Sequence, residues 1–84
     1  MDTKELLTER NKTHGPYELH AAITQRIKNI MYEQGWINLT PSQRESLDMI
    51  AHKIGRILAG DPDFRDHWDD IAGYAKLVAD RCTK

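Results

Sequence analysis

The chain is poor in cysteine, in long apolar runs and in surplus charge, and each shortage removes a class of protein. Cys82 is the one cysteine in 84 residues. It cannot close an internal disulfide, and a zinc site would need several histidines beside it. A reducing compartment is expected. No apolar run approaches the ~20 residues of a membrane span, and the opening MDTKELLTERNK has no signal-peptide apolar core. The expected location is therefore the cytoplasm, with no membrane partner. Lys and Arg number 12 against 13 Asp and Glu, a net charge of -1. Such a balance offers no broad basic face for displacing counterions from a nucleic acid, so DNA and RNA are not expected partners. There is no glycine-rich phosphate loop and no dinucleotide fingerprint. Ser42 and Ser46 have no evident base, and Cys82 has no histidine near it in sequence, so nucleophilic catalysis is poorly supported.

What remains is helical punctuation. Gly15-Pro16, Thr40-Pro41 and Gly60 with Pro62 divide the chain. Glycine ends helices, and threonine before proline starts them. Four helices are expected, roughly over 2–12, 17–33, 41–59 and 64–82. Apolar residues follow the i, i+3/i+4 rhythm in the last three: Leu19, Ala22, Ile23, Ile27, Ile30 and Met31; Leu47, Ile50, Ala51, Ile54, Ile57 and Leu58; Trp68, Ile71, Ala72, Ala75, Val78 and Ala79. No segment alternates with period two. The expectation is a single all-α domain over 1–84, a small bundle of three main helices plus a short N-terminal one. So short a chain buries only roughly 60–65% of its unfolded surface, and a homo-oligomer is expected to complete the bundle. Trp68 is assigned to the core. Trp36, in the connecting loop, is read as a seal on the bundle end or as the wall of a pocket. His14 with Gly15 is read as a helix stop.

The polar faces carry the candidate chemistry. On the third helix Glu45, Asp48, His52 and Arg56 share one stripe, and on the fourth so do Asp66, Asp69, Asp70, Gly73, Lys76 and Leu77. Glu45 and Asp48 are three apart, Asp66 and Asp70 four apart, so each pair lies about one turn apart on one face. Like charges at that spacing repel, and a divalent cation relieves the cost. Mg²⁺ takes hard oxygen ligands and keeps several waters, so these four carboxylates could hold it with a substrate phosphate. The plainer reading is that first-turn aspartates answer the helix dipole and the rest are solvated. Asp70 lies beyond the reach of that dipole. His52 and Asp48 could simply pair within their helix, or Lys53 and Arg56 could hold a phosphate. Tyr74 lies at the edge of the apolar arc, where its hydroxyl can reach a polar group. Leu77 and Met49 sit on otherwise polar faces.

The run DMIAHKIGRILAGDPDFRDHWDDIAGYAKLV, with the lead-in ERNKTHGPYELHAAITQRIKNIM, resembles a group of small phage and prophage proteins of uncharacterised function. The likeness extends from about residue 8 to the end. The pattern is in turn similar to the MazG-like all-α nucleotide pyrophosphohydrolases, which hold Mg²⁺ with acidic residues on two adjacent helices. The resemblance implies that Asp66 and Asp70 correspond to one acidic pair and Glu45 and Asp48 to part of the other, as metal ligands and catalytic groups. It implies Lys53 and Arg56, with His52 and Tyr74 beside them, as nucleotide-binding residues. The enzymes carry a denser acidic cluster than this chain, which has His52 where a further carboxylate would serve. The expected function is therefore nucleotide binding with Mg²⁺, with pyrophosphohydrolase activity as the catalytic form. The alternatives are a non-catalytic, nucleotide-sequestering protein that counters host defence, or a helical module that docks on a host protein.

Overall fold

A computed structural model describes residues 3–84. It is all-helical: α1 (Thr3–His14), α2 (Tyr17–Met31), a 3₁₀ turn (Trp36–Asn38), α3 (Pro41–Ala59) and α4 (Arg65–Ala79), with no strand among the described residues. The helix boundaries follow local chemistry. α1 runs two residues past its expected end and stops where Gly15 takes a positive φ of 75°; its expected first residue, 2, lies outside the described residues. α2 ends at Met31, two residues short of the expected 33, with Tyr32 as its cap. α3 opens on the anticipated cap. The Thr40 hydroxyl accepts from the Gln43 amide at 3.2 Å, and the Gln43 side chain accepts from the Thr40 amide at 2.9 Å. That box satisfies two otherwise orphaned donors, and Pro41 has no N–H to lose. α4 is shorter than expected at both ends, because Phe64 caps it and residues after Ala79 pass into a turn.

α3 is the central helix, with α2 packed on one flank and α4 on the other. The three lie side by side as one layer. The residues between the helices are mostly small or polar: His20 and Thr24 of α2, Ser46, Ala51, Lys53 and Gly55 of α3, and His67 of α4 are buried, with Ile57 of α3 beside them. Gly55 lets α2 approach closely, since a Cβ there would fall inside the Thr24 hydroxyl and 2.8 Å from the His20 ring.

In the single chain the apolar arcs do not enclose a core. Ala51 and Ile57 are the buried apolar residues among those described. The arcs instead share one open face of the layer, here called the front. Leu47, Ile50, Ala75 and Leu39 line an apolar groove between α3 and α4 there, and helical spacing carries the face on through Ile54 and Leu58 and through Ala72 and Ala79. On α2, Lys28 and Tyr32 reach α3 on the opposite side, which places Ile23, Ile27 and Ile30 on the front as well. Trp68, expected in the core, is 53% exposed on this face. Its indole N–H donates to the Pro62 carbonyl at 2.8 Å.

The other side, the back, is polar, and α1 joins the layer at one end of it. Two sequence breaks meet at that join. The Thr13 carbonyl accepts from the Asp61 amide at 3.1 Å and from His67 Nε2, also at 3.1 Å. A Cβ on Gly15 would collide with the Ala59 carbonyl, and one on Gly60 with the Thr13 carbonyl. Trp36 lies at the far end of the layer. Its ring lies 4.6 Å from that of Tyr32, and Arg44 holds its carbonyl at 3.1 Å.

Candidate functional site

The carboxylates expected to face one another across α3 and α4 point to different neighbours. Asp48 turns to α2, where it accepts from the Tyr32 hydroxyl at 2.9 Å and pairs with Lys28 at 3.8 Å. His52 follows it, with Nε2 3.4 Å from the Lys28 ammonium. An ammonium can only donate, so this nitrogen carries the lone pair. Burial, then Lys28, keep the His52 pKa low. The intrahelical pairing of Asp48 with His52 is thus replaced by pairing to α2.

Asp70 pairs instead with the buried Lys53 at 2.8 Å. The hydrogen bond from that ammonium holds the Asp70 carboxyl below its ordinary range. Glu45 lies in a groove of about 350 Å³ between α3 and α4, together with Ser42, Ser46, Tyr74 and Leu77. Asp66 is exposed in the first turn of α4. In the single chain these four are not one donor set. Among the described residues no three of His, Cys, Asp and Glu gather as metal ligands. The arrangement does not fit the Mg²⁺ site that the resemblance implies.

A different cluster does form. The end of α1, the start of α2 and the second half of α3 enclose a cleft of about 180 Å³ on the back of the layer. It is lined by Leu7, Arg10, Asn11, His14, Gly15, Tyr17, His20 and Arg56. Of the expected site residues it takes Arg56 alone. The lining holds two guanidinium groups and two imidazoles and no carboxylate. Arg56 is half-buried and has no ion pair or hydrogen-bonded acceptor for its guanidinium among the described residues. A partly desolvated cation without a counterion is costly, and an anion in the cleft removes that cost.

The histidines around it are neutral at pH 7. Burial, then Arg56, then His67, Arg10 and Lys53 bring the His14 pKa down to about 4. The His14 Nδ1 lies 2.7 Å from the Thr13 hydroxyl, and its ring packs edge-on to His67 at 4.8 Å. His20 is lowered by burial and by Arg56. Its Nε2 lies 3.2 Å from the His52 carbonyl. A carbonyl only accepts, so His20 Nε2 carries the hydrogen, and Nδ1 is the lone-pair nitrogen. Tyr17, 77% exposed, leans on the His20 ring at 6.2 Å and offers an aromatic surface at the cleft mouth.

The sequence reading missed Arg10, Asn11, Tyr17 and His20 as site residues. The signal was present in ERNKTHGPYELH, where two basic residues, an amide and an aromatic flank a glycine turn. Only the fold brings Arg56, some forty residues on, to face them. His67 was also missed. It is 1% exposed and organises the join beneath the cleft.

Residues 2–82 match the family model of a domain of unknown function, DUF6378. The chain belongs to the DUF6378 family. No curated protein and no solved structure matches it. The match of this DUF6378 chain spans all four helices and therefore both linings of the cleft. Among the described residues no helix is long and apolar enough to cross a membrane.

Proposed function

We propose that the protein binds a phosphate-bearing ligand of the nucleotide class in the cleft between α1, α2 and α3. The observation that carries this reading is Arg56, a half-buried guanidinium without a counterion, facing Arg10, His14 and His20 in a cleft whose lining has no carboxylate. Guanidinium forks match phosphate oxygens in pairs. The Asn11 amide adds a donor, and the neutral histidines add no further like-charge repulsion. The cleft is smaller than the roughly 300 Å³ at the low end for drug-sized ligands. It takes the phosphate end and leaves the remainder of the ligand against Tyr17, where a base can stack on the ring.

The resemblance of the sequence pattern to nucleotide pyrophosphohydrolases points to the same ligand class, though to other residues. Binding without turnover is the form the geometry favours, because the carboxylates expected to serve a metal are paired with Lys28 and Lys53 or dispersed. Calorimetry with pyrophosphate, nucleoside mono- and triphosphates and cyclic nucleotides, with and without Mg²⁺, tests the proposal. Arg56→Met should weaken the best ligand by roughly ten- to a hundredfold, the range of one charge-assisted hydrogen bond. Absence of binding by every phosphate compound, or binding that Arg56→Met leaves unchanged, overturns it. Pyrophosphate released from a triphosphate in the same mixtures would replace the sequestering form with the catalytic one.

A further inference from the structure

The front of the layer is an apolar surface three helices wide, and none of the described residues covers it. Its central row, Leu47, Ile50, Ile54 and Leu58 on α3, carries no charge. The size of the deficit is measurable. The chain exposes 6337 Å², whereas a compact monomer of 9.7 kDa exposes roughly 5,100 Å². The excess over the whole chain, with α1 and its lack of buried residues included, is roughly 1,200 Å². Its radius of gyration is 14.6 Å, against roughly 12 Å for a compact domain of this length.

We infer that two copies of this chain pack front to front, burying the apolar faces of α2, α3 and α4 in a six-helix, two-layer homodimer. Three arguments select a second copy as the occupant. An isologous dimer that removed the excess from each chain would bury up to roughly 2,400 Å² in all, which reaches the lower part of the 2,000–5,000 Å² range of obligate homodimers. Ala51 and Ile57 are the only buried apolar residues among those described, so the single chain's own core is small and the cover over the front must be present whenever the chain folds. Another copy of the chain meets that condition. The front is also self-complementary in chemistry, a broad apolar strip with polar flanks, as a two-fold interface requires. The basic clefts, lying on the backs, would face outward from both layers and stay open, so the inference stands independently of the proposed ligand.

Sedimentation equilibrium on the ligand-free full chain reads it directly. The expected mass is twice 9.7 kDa at micromolar concentration, and the thermal midpoint should rise with protein concentration. Ala72→Arg places a charge on the front at a position that is exposed in the single chain, so it spares the protomer's own packing. It should weaken the dimer by roughly a hundredfold or more, because the guanidinium would be buried unpaired. Leu77→Glu, on the back, should leave the dimer intact. A folded wild-type monomer with a concentration-independent midpoint overturns the inference and gives the front to a different partner. An assembly broken by Leu77→Glu and not by Ala72→Arg overturns it as well.

Discussion

Gly55 and Gly73 are both helical glycines, and their surroundings give them opposite roles. Gly55 sits where α2 crosses α3, against Thr24 and His20. Gly55→Ala should destabilise the protein by roughly 1–3 kcal/mol, since overpacking must push two helices apart. A Cβ on Gly73 would meet nothing within 4 Å. Gly73→Ala should stabilise α4 by about 1 kcal/mol through helix propensity. Denaturant midpoints of the two variants check the pair, and a stabilising Gly55→Ala would contradict the packing described. Sequence spacing alone placed Gly73 on a functional stripe and passed over Gly55, because a wheel shows which face a residue occupies and not which helix lies opposite. Lys53 shows the same gap. It was legible as a cation near a candidate phosphate, yet its partner is Asp70 on the next helix.

At the level of elements, the hydrogen bonds that join α1 to the α3–α4 end converge on one carbonyl. Thr13 accepts from both the Asp61 amide and His67, and His67 is almost wholly buried. His67→Leu removes one donor while keeping the bulk, and should cost roughly 1–3 kcal/mol. The loss should concentrate at α1, which becomes exchangeable in amide hydrogen exchange before α3 does; protection lost evenly along the chain would argue against this. The cleft is assembled at the same join, so the variant should also weaken ligand binding. The helix limits set by Gly15, Thr40-Pro41 and Gly60 were legible because capping chemistry is local. The meeting of THGP with AGDP was not, because the contact spans about forty-five residues.

Across the whole molecule, charge and pH act through the cleft. His14 has a folded pKa of about 4, below the ~6.5 of an unfolded histidine. A group depressed in this way contributes stability that is fully present above pH ~6.5 and is lost as pH falls toward 4. A bound phosphate reverses the local sign, favouring the imidazolium and raising that pKa. Ligand binding should therefore take up protons and tighten as pH falls toward the free protein's His14 pKa of about 4. His14→Gln should lower that uptake, measured by calorimetry in buffers of different ionisation enthalpy; equal uptake in both proteins would remove His14 from the site. The sequence by itself determined the helices, their caps and which face of each is apolar, because periodicity and capping depend on neighbours within a few residues. It also supplied the charged groups from which any site must be built. Tertiary structure alone decided that the helices lie side by side on small and polar residues, leaving the apolar faces open. It alone turned Asp48 and Asp70 toward lysines and drew Arg56 to Arg10, His14 and His20. Those outcomes depend on which helix packs against which flank of α3, and spacing along one helix carries no information about the helix that comes to lie beside it.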